Sequence, residues 1–401
     1  MKILLLTDIP PTKSYTAGIF LENILRHIPK EHVVCCYTVL NRHLMPAPSD
    51  EYKEIPLKVI TKPRENWGNH KYGSLISYFF ETAIKSFTIP AIVNDISKFG
   101  KNHEVDSLWV TLQGQTMIRL ALPVARSLGI PLYPLVYDPP EWWMRANKVN
   151  KFIAKKVITE FGNTLNRSRN CALASWAMVE YYSQLYGAKG VPMVSCLDAD
   201  VAKAPASEYT SQDEFIICMA GQLYARDEWH ALLEALDSID WQVNGKNIRL
   251  RYMGEWLEIG AKRRRCIEYL GWRTLKEVID IASNSDLCYC PYWFSPEFEL
   301  ESKLSFPSKL PLYFASGRPV LFHGPEYSSP GKFITKNSAA YVCHSLNADD
   351  LVIALSKIAE EKTMYQRVAQ NARHAFNAYL THDQMKERVR EFFGFQAFSS
   401  T

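Results

Sequence analysis

A lysine at the start of a short, well-punctuated helix is the residue in this chain best suited to chemistry. The stretch Phe306-Pro307-Ser308-Lys309-Leu310-Pro311-Leu312-Tyr313-Phe314-Ala315-Ser316-Gly317-Arg318-Pro319-Val320-Leu321 predicts a helix over 308–315 with both ends marked. Ser308 can cap the amino end, while Pro307 and Pro311 fall before the helix and in its first turn, where a missing amide donor costs little. Gly317 supplies a left-handed stop, and Pro319 prevents resumption before a strand at 320–322. A strand-to-helix loop carrying Ser308, Lys309 and the amide of Leu310 suits an anion, because free amides, helix dipole and ammonium converge there. An ordinary capped helix with a solvated lysine fits the same letters, so the surrounding motifs must decide.

Other segments offer compatible chemistry. Ala220-Gly221-Gln222-Leu223-Tyr224-Ala225-Arg226-Asp227 follows a buried strand, and the guanidinium of Arg226 can fork onto phosphate oxygens or stand as a solvated loop charge. Tyr252-Met253-Gly254-Glu255 ends another strand. In Leu270-Gly271-Trp272-Arg273 the glycine permits close backbone approach, and Trp272 or Arg273 can meet a base; Trp272 as domain core is the competing reading. Near the amino terminus, Pro10-Pro11 and Ala17-Gly18-Ile19-Phe20 form a loop entering a first helix, where Gly18 would let amides approach a ligand. Tyr137-Asp138-Pro139-Pro140-Glu141-Trp142-Trp143 ends a strand; Asp138 can bind a sugar hydroxyl or simply form the turn before Pro139.

Together these motifs resemble GT-B glycosyltransferases, especially the family 4-like ones, over most of the chain and most strongly in its second half. The resemblance implies two Rossmann-like α/β domains facing across a cleft. The carboxyl-terminal one would hold a nucleotide-diphosphate sugar and the amino-terminal one would present a carbohydrate or lipid-linked acceptor. It further implies a hexosyltransferase that retains anomeric configuration, needs no bound metal or other cofactor, and serves surface polysaccharide or glycoconjugate biosynthesis. Lys309, Arg226, Tyr137 and Asp138 take the catalytic positions, and Gly18, Gln222, Glu255, Gly271, Trp272, Arg273, Ser308, Lys309 and Leu310 the donor-binding ones. Asp138 could instead be the base of an inverting reaction.

The sequence departs from the family pattern at several positions. Gln222 stands at the first basic position of the Gly-Arg-Leu loop, and Asp227 at the position of its lysine, with Arg226 one residue early. Tyr137 replaces a histidine. Leu304 and Leu312 replace a pair of glutamates, and a leucine accepts no hydrogen bond; Glu297, Glu299 and Glu301 lie nearby as substitutes. These losses keep open a non-catalytic sugar- or nucleotide-binding scaffold subunit, and a nucleotide-sugar epimerase.

Composition sets the frame. With 401 residues, 47% hydrophobic and 22% charged, the chain is a folded protein too long for one core. A net charge of +4 gives no case for nucleic acid but permits an anionic membrane or a phosphorylated substrate. Nine scattered cysteines without a Cys-x-x-Cys pair fit reduced, buried thiols and a cytoplasmic location. The start, Met1 to Asp8, reads as a buried strand rather than a signal peptide. The basic run Arg145, Lys148, Lys151, Lys155 and Lys156 suits an acceptor phosphate, the inner face of a membrane, or merely solvent. The aromatic segment 75–93, with Trp67 and Tyr72 nearby, reads as core in preference to an interfacial surface. The first strand lacks Gly-x-Gly-x-x-Gly and no Walker loop occurs, so dinucleotide redox chemistry is disfavoured.

The elements that must position these residues alternate regularly. Strands are predicted at 2–7, 33–39, 107–111, 132–137, 171–174 and 191–195, with helices at 18–27, 75–84, 116–128, 148–167 and 176–186. The polar stretch 198–214 breaks the rhythm as a linker. Strands at 215–220, 248–253, 287–290 and 320–322, with helices between, restart it. The expected domains are 1–197 and 198–380, with a helix in 381–401 crossing back to the first.

Overall fold

In the computed structural model, residues 1–41, 43–44, 48–65, 73–255 and 264–395 are described; Trp67 and Tyr72 lie outside them. The chain forms two compact units, residues 1–193 with 385–401, and residues 194–384. Each is a parallel α/β layer structure.

The first unit contains β1 (Ile3–Thr7), β2 (Val33–Leu40), β3 (Leu57–Thr61), β4 (Ser107–Thr111), β5 (Leu132–Val136), β6 (Cys171–Leu173) and β7 (Gly190–Pro192), in the order β3-β2-β1-β4-β5-β6-β7. Every pairing is parallel. Parallel strands need crossovers, here made by α1 (Thr16–Leu25), α2 (Gly73–Ala83), α3 (Ile89–Asn102), α4 (Gly114–Leu128), α5 (Pro140–Ala146), α6 (Lys151–Asn166) and α7 (Trp176–Tyr186). A π-helical turn, Ile84–Thr88, joins α2 to α3. The central strands β1, β4 and β5 are apolar runs buried at every position because helices cover both faces, whereas the edge strand β3 alternates exposed and half-buried residues.

The second unit contains β8 (Glu214–Ala220), β9 (Gln242–Val243), β10 (Lys246–Met253), β11 (Ile267–Tyr269), β12 (Leu287–Pro291), β13 (Val320–His323) and β14 (Tyr341–Cys343). Its order is β11-β10-β8-β12-β13-β14, with β9 antiparallel on β10. The helices are α8 (Arg226–Ser238), α9 (Leu275–Ser283), α10 (Glu299–Leu304), α11 (Lys309–Ala315), α12 (Ser329–Asn337), α13 (Ala348–Glu360), α14 (Lys362–Tyr379) and α15 (His382–Phe393), the last running from this unit into the first. Phe215, Ile217, Leu250, Tyr252, Leu287 and Tyr289 from the sheet pack with Trp229, Leu232, Leu351 and Leu355 from the helices.

In both sheets chain order reverses beside the first strand, between β1 and β4 and between β8 and β12. The carboxyl ends of those pairs are topological switch points, where such sheets leave a crevice for ligands.

Several expectations change. The polar stretch 198–214 is tied along the second unit: Thr210 donates from its amide and hydroxyl to buried Asp286, and Lys203 donates its amide to Ala315. The segment 75–93 is not simply core, because Phe79, Phe80 and Phe87 face outward while Glu81 is buried. All nine cysteines are free thiols.

Candidate functional site

Lys309 begins α11, but its side chain lies beneath the loop leaving β8. The ammonium donates to the Gln222 carbonyl at 3.2 Å and sits 4.7 Å from the centre of the Tyr224 ring. It is 8% exposed and forms no ion pair among the described residues. Burial lowers its pKa to about 8, because desolvation disfavours the charged form. One bond uses one of three ammonium donors.

The loop above it is shaped by glycine. Gly221 has φ +82° and donates its amide to the Met253 carbonyl at 2.8 Å. Gly254 is squeezed beside it: a Cβ there would lie 2.6 Å from the Gly221 carbonyl oxygen and 2.7 Å from the Tyr252 hydroxyl. Gly254 in turn donates to the Gly271 carbonyl at 3.1 Å, while Tyr269 donates to the Gly254 carbonyl at 2.6 Å. The loops after β8, β10 and β11 are thereby laced into one rim, which brings Gln222, Glu255, Gly271 and Lys309 into one neighbourhood. Tyr224 closes the other side, with its ring 4.6 Å from that of Trp293 and its carbonyl accepting the Trp293 indole N–H.

Other predicted residues stand differently. Ser308 has helical torsions (φ −62°, ψ −18°) and makes no side-chain cap, since a cap needs an extended residue whose oxygen reaches forward. Leu310 donates its amide to Pro307 at 3.1 Å, so it is not a free phosphate donor. The predicted convergence of cap, amides and ammonium thus reduces to Lys309. Arg226 is exposed at the first residue of α8 and makes no ion pair among the described residues. Trp272 is 64% exposed, which removes the core reading; Arg273 donates to its carbonyl at 3.1 Å. Leu304 is buried and Leu312 half-buried. Of the nearby glutamates, Glu299 pairs with Lys303, Glu301 is buried and Glu297 is exposed.

The first unit's switch point holds charges that the motifs did not single out. Asp8, just past β1, accepts from the Thr111 hydroxyl at 3.2 Å, and burial raises its pKa against the pull of Lys62. Lys62 pairs with Glu65 at 3.0 Å and donates to the Gln113 carbonyl at 3.1 Å. Glu65 in turn accepts the Thr116 amide at 2.6 Å, placing its carboxylate on the first turn of α4. Tyr137 stacks edge-on against Phe20 at 5.7 Å; its hydroxyl is buried with no hydrogen-bond partner, and burial, then Asp8, raise its pKa. Asp138 lies on the bend between β5 and α5. Gly18 is helical, and a Cβ there would lie 2.7 Å from the Thr12 carbonyl, so close packing alone requires glycine. Asp8, Lys62 and Glu65 are spaced far apart in sequence, and only the order β3-β2-β1-β4 gathers them.

The two switch points therefore differ. The first unit's helix terminus is filled by its own carboxylate, whereas the second unit's buried ammonium faces none. Among solved structures the chain is similar to HepE of Anabaena in complex with UDP, with a TM-score of 0.68 and 15% identity over 99% of this chain and 100% of that one. It is also similar to sucrose-phosphate synthase from Thermosynechococcus elongatus (TM-score 0.67, 10% identity, 98% of each chain). WaaG, a glycosyltransferase involved in lipopolysaccharide biosynthesis, matches with TM-score 0.58 and 13% identity over 98% of this chain and 100% of that one. No protein-family model and no curated protein matches. The fold is GT-B: two Rossmann-like parallel α/β units in one chain.

Proposed function

We propose that this chain is a glycosyltransferase that moves a sugar from a nucleoside-diphosphate donor to a hydroxyl acceptor. The observation that carries the reading is Lys309. A buried ammonium with no carboxylate is costly, and an anionic ligand at the β8–β12 switch point would relieve it. The donor's diphosphate is such an anion and also the leaving group. Negative charge grows on the β-phosphate as the glycosidic bond breaks, and a fixed cation stabilises that growth without reorganising. Arg226 would add a second positive group, and the rim from Gly221 to Gly271, with Trp272 and Arg273, would receive the base. Asp138 and Tyr137 are assigned to the transferred sugar. We assign charge stabilisation to these protein groups rather than to a metal. Structures similar to this one carry UDP and UDP-glucose, which makes uridine donors the first to try. We place the reaction in cytoplasmic assembly of a surface polysaccharide or glycoconjugate.

Thermal-shift measurements with nucleoside diphosphates and their sugars, beginning with UDP and UDP-glucose, test the assignment. One donor should raise the melting temperature, and Lys309→Ala should abolish that rise. An unchanged rise in the variant would overturn the phosphate site. Buried Leu304 and half-buried Leu312 favour a second reading, a donor-binding subunit without turnover. Release of nucleoside diphosphate on adding acceptor would exclude it.

A further inference from the structure

The segment that leads from α2 through the π turn into α3 is inside out. Glu81 is 1% exposed, while Phe79, Phe80 and Phe87 are 67%, 46% and 77% exposed. The cause lies beneath the helix. Arg119 of α4, itself 6% exposed, is drawn towards Glu160 of α6 (3.6 Å) and feels Glu81. Burying that charge group turns the polar side of α2 inward and commits its phenylalanines to the surface. Lys85 pairs with Glu160, and Lys156 donates to the Tyr78 hydroxyl at 3.1 Å, so α6 is fastened alongside. At the start of α6, Phe152 is 73% exposed.

We infer that this face, built from Phe79, Phe87 and Phe152, docks on an anionic lipid bilayer. Charge selects that occupant. Lys85, Lys151, Lys155 and Lys156 are exposed on the same segments as the phenylalanines, Lys156 beside Tyr78 and Lys85 paired with Glu160, while Lys151 and Lys155 form no ion pair among the described residues. The one acidic residue between Gly73 and Asn94 is Glu81, which is buried. Exposed aromatics with lysines, and with the one half-buried carboxylate, Glu160, taken up by Lys85 and Arg119, match the boundary between acyl chains and anionic headgroups. The long lysine stems can lie along the apolar surface with their ammoniums at the headgroups. A protein partner is less suited, because lysine is depleted at the core of protein interfaces. No described helix is long and apolar enough to cross a membrane. The inference stands apart from the sugar-transfer reading, since none of these residues belongs to the donor site.

Co-sedimentation of the full chain with phosphatidylcholine vesicles, and with vesicles also containing phosphatidylglycerol, tests it. The protein should bind the mixed vesicles and not the neutral ones, more weakly as salt rises. Phe79→Ser with Phe87→Ser, and separately Lys151→Glu with Lys155→Glu, should each weaken binding at least ~10-fold, with Phe152→Ser as an independent check. All three changes are on the surface and should leave the melting temperature and any nucleotide-induced shift intact. Failure to bind mixed vesicles, or equal binding by the phenylalanine variant, would overturn the inference. So would a dimer of the native chain that the phenylalanine variant makes monomeric, since the face would then be a contact between copies.

Discussion

Lys309 ties stability and binding together through one proton. Its pKa falls from 10.5 to about 8 on folding, so between those values the unfolded chain binds more protons than the folded one. Stability from this group therefore rises with pH across that window, and the cost of the buried charge is fully present below pH 8. Lys309→Met should thus melt no lower than the native chain at pH 7, although it loses the bond to Gln222. A diphosphate needs the ammonium, so donor affinity should fall as pH passes about 8 while the apo protein grows more stable. Donor titrations and melting curves from pH 7 to pH 10, read side by side, check both signs. A parallel fall of the two would mean that the lysine is structural. Tyr137 offers a contrasting case: its buried hydroxyl has no hydrogen-bond partner, so Tyr137→Phe should change stability by less than ~1 kcal/mol. Any larger loss in transfer by that variant then belongs to substrate contact. Melting curves and initial rates separate the two.

At the scale of elements, the rim of three loops depends on the absence of one carbon. Gly254→Ala would set a Cβ against the Gly221 carbonyl and the Tyr252 hydroxyl, and backbone gives way poorly. The substitution should cost about 1–3 kcal/mol and weaken any donor-induced thermal shift. Denaturant melts with and without nucleotide measure both effects. Sequence reading found two of this rim's three glycines from local pattern, because Gly221 and Gly254 each follow a strand-like apolar run; Gly271 came only from the resemblance of Leu270-Gly271-Trp272 to the family's loop. It located most strands for the same reason: a strand buried on both faces is an apolar block that few other structures explain. It passed over β3, where Leu57 and Val59 are exposed, β11, whose three residues are all half-buried, and the two- and three-residue strands β9 and β14. It also placed a cap on Ser308, because letters show a side chain's capacity and not its backbone torsions. The burial of Lys309 was equally hidden, since a lysine at a helix start is ordinarily solvated. Pair partners such as Lys62 with Glu65, and the turning of Glu81 inward, arise from strand order and crossing helices rather than local spacing.

Across the whole molecule, the first unit is completed by the far end of the chain. Phe393 of α15 packs edge-on against Trp109 of β4 at 5.6 Å, and Phe392 packs on Tyr133 of β5 at 5.6 Å. Asn170 adds side-chain hydrogen bonds to the carbonyls of Glu391 and Phe392. Both phenylalanines are almost fully buried, so the sheet of residues 1–193 lacks part of its cover until the last helix arrives. Loop-closure entropy grows only slowly with chain length, so so long an excursion remains affordable to the fold. Phe393→Ala should remove about 3–5 kcal/mol from the first unit, the cost of deleting a buried aromatic and leaving a cavity. The second unit, residues 194–384, keeps all of its own sheet and should keep Lys309 in place. Hydrogen exchange should accordingly rise in β4 and β5 of the variant and stay unchanged in β8 and β12. Loss of protection in β8 and β12 would show instead that the two units unfold as one.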